Sequence, residues 1–302
     1  MSGGPTMHDV LEDADDLRRV IEVALEEDLR HGPDVTTLAT VPQDAVAVAA
    51  LTPRVAGVLS GVGAAVEVFR AVGGPSIEVR SILPEGAMLA AGVPALVVSG
   101  PTRALLTAER TALNLVTHLS GIATLTRAWV EAVAGTGARI RDTRKTLPGL
   151  RALQKRAVVA GGGVNHRMGL GDAALIKDNH VVAAGSIGAA ITAVRTLDPE
   201  IFLEVEVDTL DQLREALGHA VPLILLDNFS PSETAAAVRI TRERDPRTRL
   251  ESSGGLTLEV ARAYAETGVD FLAVGGLTHS APSLDLGLDL TLDTTSDAAG
   301  SA

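Results

Sequence analysis

The chain has 302 residues, 46% hydrophobic and 21% charged, enough apolar surface for a sizeable core and for about two domains. A formal net charge of −12 and an aromatic content of only 2% argue against a generic nucleic-acid surface or a base-stacking platform. Cysteine is absent, which excludes disulfides, thiol nucleophiles and thiolate metal sites. The acidic start has no apolar signal-peptide core, and no apolar run reaches the ~18 residues of a membrane span. A soluble, cytoplasmic protein is the expectation.

Residues 1–12 and 291–302 read as ragged ends, the latter a disordered tail. Leu17, Val20, Ile21, Ala24 and Leu25 recur at helical spacing between Asp13 and Leu29, and HGPDVTT follows as a turn. From Val46 to Val98, short β-branched runs punctuated by Gly and Pro predict a small sheet-containing domain, with a helix over Gly63 to Val72. Thr107 is a candidate N-cap for a long helical stretch, which Gly121 is expected to divide in two.

Beyond Gly137 the pattern repeats: a short apolar run, polar residues closing it, then a helical segment. The runs are ARIRDTRK, AALIKDNH, FLEVEVD, LILLDNF, TRLESSGG and DFLAVGG. Their markers Lys177, Glu206, Asp227, Glu251 and Gly275 lie 29, 21, 24 and 24 residues apart. That spacing suits a parallel β/α series. A complete eight-unit barrel needs ~250 residues, so this one is expected to be incomplete. In such a series the C-terminal strand ends form one rim, where Arg144, Lys145, Lys177, Glu206, Asp227, Ser253, Gly254 and Gly275 would converge.

Charge is concentrated in the same region. Residues 139–177 hold nine Lys or Arg against Asp142 and Asp172, leaving −19 for the remainder. Arg144, Lys145 and Lys177, at strand ends, suit a ligand with several negative charges, because Arg grips an anion bidentately and Lys acts as a mobile point charge. Arg151, Lys155 and Arg156, at helical spacing, read instead as partners of the acidic surplus. For His166 a structural and a functional reading both stand, with Arg167 beside it and Gly161, Gly162 and Gly163 before it. Alternation in FLEVEVD puts Glu204, Glu206 and Asp208 on one strand face. Carboxylates turned into a barrel are costly unless cations or Mg²⁺ compensate. Two glycine-rich loops, ESSGGL and VGGL, follow consecutive strands and suit phosphate binding through backbone N–H groups.

Several segments, in order and at fitting distances, resemble the quinolinate phosphoribosyltransferase family: RDTRKTLPGLRALQKRAVVAGGGVNHRMGLGDAALIKDNHV, LEVEVDT, LLDNFSP, LESSGGLT and VDFLAVGGLTHS. The resemblance runs from about Asp28 to Leu290. It implies an α/β fold, an N-terminal α/β sandwich domain (1–119) and an incomplete α/β barrel catalytic domain (120–290). It also implies transfer of phosphoribose from phosphoribosyl pyrophosphate to quinolinate with decarboxylation, in NAD biosynthesis. By the same resemblance Arg110, Arg144, His166, Arg167 and Lys177 hold quinolinate, with Arg110 coming from the partner subunit of a homodimer or larger homo-oligomer. Thr143, Lys145, Glu206 and Asp227 lie about the sugar, the pyrophosphate and Mg²⁺. Lys145, Glu206 and Asp227 are the expected catalytic groups, Glu206 and Asp227 reaching the metal directly or through phosphoribosyl pyrophosphate and water. Ser253, Gly254, Gly255, Val274, Gly275, Gly276 and His279 match the phosphate loops. The chain departs from the family pattern at Pro33, which stands between the turn glycine and Asp34. A related phosphoribosyltransferase with another ring substrate and a non-catalytic anion sensor are the competing readings; inward carboxylates beside the cations speak against the sensor.

Overall fold

The computed structural model describes residues 7–292. In chain order the elements begin α1 (Met7–Leu29), α2 (Val35–Thr40), β1 (Val46–Pro53), β2 (Gly57–Val58), α3 (Val62–Gly73), β3 (Glu78–Ile82), β4 (Met88–Leu89), β5 (Leu96–Pro101) and α4 (Thr102–Ala132). They continue β6 (Arg139–Arg141), α5 (Arg151–Ala160), β7 (Ala174–Ile176), α6 (Asp178–Ala184), α7 (Ile187–Leu197), β8 (Leu203–Val207) and α8 (Leu210–Leu217). The last are β9 (Leu223–Asp227), α9 (Pro231–Arg244), β10 (Arg249–Ser253), α10 (Leu258–Ala265), β11 (Phe271–Ala273), α11 (Gly276–His279) and β12 (Leu286–Leu292). Among the described residues no single helix is long and apolar enough to cross a membrane.

The chain forms two compact units. The first comprises residues 1–125, 147–161 and 281–302. Its main sheet is antiparallel, in the order β12-β1-β5-β3. Alternation along β1 buries Ala47, Ala49 and Leu51 on one face. The second unit, residues 126–146 and 162–280, holds a six-stranded parallel sheet in the order β6-β11-β10-β9-β8-β7. Each strand from β7 to β11 neighbours its successor, and β6 closes onto β11. The one ladder missing from a closed ring is that between β6 and β7. This is the incomplete α/β barrel expected from the sequence. The strand–helix returns are tight because polar residues cap the helices: Ser186, Thr209 and Ser230 each accept a backbone N–H of the first turn, and Ser230 pairs reciprocally with Glu233.

Three local expectations are corrected. Helix α4 begins at Thr102, not Thr107, because the loop carbonyl of Ala45 receives the Thr102 N–H and allows the helix to start directly after Pro101. Gly121 does not divide it. A Cβ there would lie 2.0 Å from the Pro282 carbonyl oxygen, so this glycine makes room for a crossing segment inside one continuous helix. At the ends, residues 7–12 belong to α1 and Thr291 and Leu292 to β12, whereas the rest of both expected ragged ends lies outside the described residues. The chain also leaves the parallel sheet at residue 147 to place α5 in the first unit, and its end returns there as β12. Packing thus interleaves the two units along the sequence, where a boundary read from sequence is a single point.

Pro33 leaves its neighbour in place. Asp34 caps α2 by accepting the Thr37 N–H at 3.0 Å, and its other oxygen receives the Thr107 hydroxyl at 3.4 Å. Asp28 takes the hydroxyl of Thr111 at 3.0 Å. Two carboxylates thereby fasten the α1–α2 elbow to the stretch of α4 that carries Arg110, whose own side chain is exposed.

Candidate active site

Because the strands are parallel, their C-terminal ends share one edge. Asp227 closes β9 and pairs in register with Ser253, which closes β10. Glu206 lies on β8 opposite Leu225 of β9, and Leu225 lies opposite Glu251 of β10. On the outward face of β8, Val205 and Val207 are fully buried in the sheet–helix core, so Glu204 and Glu206 turn the other way, as the alternation predicted. Asp208, past the strand end, is exposed.

Glu206, Asp227, Ser253 and Glu251, but not Glu204, border a cavity of about 420 Å³, in the range of small-molecule sites. Arg144, Lys145 and Thr143 reach it from the segment after β6, His166 and Arg167 from the loop before β7, and Lys177 from the residue following β7. Glu206, Asp227 and Ser253 line it from the sheet. Gly254, Gly255, Val274, Gly275, Gly276 and His279 follow the same strand ends but do not line it. One of these glycines is sterically required and another is closely packed. A Cβ on Gly254 (φ +92°) would lie 2.2 Å from Oδ1 of Asn228, itself left-handed at φ +56°. On Gly275 it would meet Lys145 Cδ at 2.9 Å.

The cations are positioned by hydrogen bonds within irregular backbone. Asp142, fully buried, accepts the His166 N–H at 2.8 Å. Asp172 accepts the N–H groups of Met168 and Gly169 at 2.6 and 2.8 Å, and Thr278 donates its hydroxyl to the Lys145 carbonyl at 2.8 Å. Burial raises the Asp172 carboxyl, but those two N–H groups and Arg167 outweigh it and hold it below its ordinary value. Arg167 has its pKa lowered by burial and by the neighbouring Arg144 guanidinium, against the pull of Asp172 and Glu204. The buried Nε atoms of both Arg144 and Arg167 have no hydrogen-bond partner. Two guanidiniums that repel each other and retain unused donors form a site prepared for an anion.

The carboxylates differ in environment. Glu206 is ion-paired with Lys177. Asp227 accepts from the Asn228 amide at 2.7 Å, and burial followed by Asp208 raises its pKa, with Lys177 and Lys145 opposing. Deeper lies a network built from three strands and a loop. His166 Nε2 stands 2.9 Å from Glu204 and 3.6 Å from Glu251, and Arg141 donates to Glu251 at 2.7 Å. Burial pushes Glu204 up to about 7 against Arg141, Arg167 and Lys177. Glu251 also rises to about 7, through burial and then through Glu204, with Arg141 and His166 opposing.

Sequence reasoning passed over Glu251, which served only as a strand marker in a motif read for its glycines, yet lines the cavity. It also passed over Asp142 and Asn228. The signal for Glu251 was the one used for Glu206, an acidic residue closing inward on a buried strand. Asp142 and Asn228 act through backbone geometry that spacing does not encode.

An open α/β barrel whose strand ends gather cations and carboxylates around one cavity defines an enzyme for a small, multiply anionic substrate. Comparison narrows the class. Residues 34–120 match the quinolinate phosphoribosyl transferase N-terminal domain and residues 122–289 its C-terminal domain. The chain is 58% identical over 277 residues to the nicotinate-nucleotide pyrophosphorylase (carboxylating) of Mycobacterium leprae, covering 91% of this chain and 98% of that protein. It is 45% identical over 217 residues to a probable nicotinate-nucleotide pyrophosphorylase (carboxylating) of Bacillus subtilis, covering 71% and 74%. The solved nicotinate-nucleotide pyrophosphorylase of Francisella tularensis is similar with a TM-score of 0.85 at 36% identity, covering 92% of this chain and 96% of that one. The chain belongs to the quinolinate phosphoribosyltransferase family, a family of pentosyltransferases.

Proposed function

We propose that the chain transfers the phosphoribosyl group of phosphoribosyl pyrophosphate to quinolinate with decarboxylation, giving nicotinate mononucleotide, pyrophosphate and carbon dioxide for NAD biosynthesis. The observation that carries this reading is the pair Arg144 and Arg167, two mutually repelling guanidiniums with unpartnered Nε donors at one cavity. A dicarboxylate resolves that repulsion and satisfies the donors.

In this reading Arg144, His166, Arg167 and Lys177 surround quinolinate, and Arg110 is supplied by the second subunit of a homodimer. Lys145 faces the pyrophosphate; Ser253 to Gly255, Val274 to Gly276 and His279 take the sugar phosphate. Pyrophosphate departure leaves an oxocarbenium-like sugar, which the carboxylates of Glu206 and Asp227 stabilise electrostatically. The pyridine nitrogen attacks that carbon. Once glycosylated, the nitrogen is cationic and stabilises the electron pair left on the adjacent carbon when its carboxylate leaves as carbon dioxide; that carbon then takes a proton from solvent to give nicotinate mononucleotide.

Glu206 and Asp227 would also hold Mg²⁺. Both offer hard oxygen donors, and the elevated Asp227, crowded by Asp208, is the electrostatic condition that a divalent cation relieves. Bound there, Mg²⁺ would help neutralise the leaving pyrophosphate. The protein is expected to work in the cytoplasm.

Purified protein with Mg²⁺, phosphoribosyl pyrophosphate and carboxyl-labelled quinolinate should release carbon dioxide and mononucleotide in equal amounts, with nicotinate and nicotinamide inert. Turnover of nicotinate without carbon dioxide release would replace the substrate assignment. Mixing inactive Arg110→Ala and Lys145→Ala proteins should restore activity if Arg110 crosses between subunits; no restoration after subunit exchange would remove that part.

A further inference from the structure

Both ring nitrogens of His166 are engaged by the protein. Nδ1 accepts the backbone N–H of Arg167 at 2.7 Å, and Nε2 stands 2.9 Å from Oε2 of Glu204. An imidazole whose Nδ1 accepts carries its proton on Nε2, so His166 donates inward to Glu204. His166 is 8% exposed, and Glu204 and Glu251 are 2% and 0% exposed. Glu251 approaches the same Nε2 at 3.6 Å and is itself held by Arg141 at 2.7 Å, the guanidinium lying over the Phe271 ring at 5.0 Å. Strands β8 and β10 thus each send one carboxyl group to a single imidazole, and β6 sends Arg141 to the second of them. His166, Glu204 and Glu251 bring their ligand atoms within 4.8 Å of one another, and Arg141 supplies part of the compensating charge through Glu251.

We propose that Glu204 and Glu251 are positioning residues of the substrate pocket, acting through His166: Glu204 takes its Nε2 proton, and Glu251, locked by Arg141, confines the ring from the other side. The imidazole then meets the pyridine substrate in one tautomer and one orientation, set before the ligand arrives. Arg167 is fixed by the same device, since its own N–H is the group that Nδ1 accepts. The inference rests on quinolinate occupying this cavity.

The test is a double-mutant cycle on the full-length enzyme with Mg²⁺. E204Q and E251Q should each raise the KM for quinolinate about tenfold or more, as when the carboxylate partner of a ligating imidazole is removed, with less than about a twofold change in the KM for phosphoribosyl pyrophosphate. In an H166A background, E204Q should add little further loss, because its path to the substrate is already gone. Losses that multiply in the double variant, or equal effects on both KM values, would overturn the proposal. A second measurement covers variants that do not fold: nitrogen NMR of wild-type protein labelled at histidine should show His166 protonated at Nε2 with Nδ1 unprotonated. The opposite tautomer refutes the inference. Failure of the wild type to consume quinolinate would refute the proposed function instead, while the tautomer measurement would still decide this inference.

Discussion

The two walls of the cavity are built by different means. On the sheet side, Glu206, Asp227 and Glu251 stand on consecutive strands, and ladder register fixes their spacing. On the side of the missing ladder, Arg144, Lys145, His166 and Arg167 come from irregular backbone, held by Asp142, Asp172 and Thr278. Burial on the sheet side pushes Asp227 and Glu251 toward protonation. On the irregular wall the guanidiniums of Arg144 and Arg167 stand near enough to repel one another. Under the proposed function, a ligand anionic at several points would meet the second wall, and developing positive charge would face the first.

Arg167→Ala strikes the cationic wall where its donors are unsatisfied. Loss of a charge-assisted contact of ~3 kcal/mol should lower kcat/KM for quinolinate about a hundredfold, measured by carbon dioxide release. A change below about threefold would mean that the irregular wall does not grip the substrate.

Glu251→Gln probes the sheet wall through stability. The folded pKa of Glu251 is raised to about 7, above that of an unfolded glutamate, so folding retains a proton between about pH 4.5 and 7. That contribution is complete below about pH 4.5 and is lost as pH rises through about 7. Wild-type stability from denaturant titrations should therefore fall across this window, by an amount on the order of 3 kcal/mol, and the variant should show a flatter slope. Equal slopes would show that the sheet does not desolvate this carboxyl as described.

Outside both walls, Arg214 pairs with Asp211 on the exposed face of α8 at 2.6 Å. Arg214→Ala should change stability by less than about 0.5 kcal/mol and leave turnover unaltered; a larger effect would undermine the contrast between the walls and the surface.

The same contrast explains what could be read from the sequence. A strand announces its period and its end, so Glu206, Asp227 and Ser253 were placed on one rim by spacing alone, and Val205 and Val207 went to the core as alternation requires. The cations of the irregular wall carry no period. Strand-end position placed Arg144 and Lys145 on the rim, whereas His166 and Arg167 stood only in a basic, glycine-flanked stretch, and family resemblance assigned the particular role of each. Gly121 misled because a glycine that admits a crossing chain looks the same in sequence as one that ends a helix. Glu251 was hidden in a motif dominated by its glycines, and Asn228 because a left-handed asparagine leaves no mark on a hydropathy pattern.

The first unit has a strand at each end of its history. β1 pairs with β12, Ala47 opposite Leu292 and Pro53 opposite Leu286, so its sheet is sewn together by residues that leave the ribosome long after β1. Synthesis delivers every strand of the second unit before that partner emerges. Until then the edge of β1 stands open, and a nascent chain stalled short of residue 286 would expose it to any passing strand.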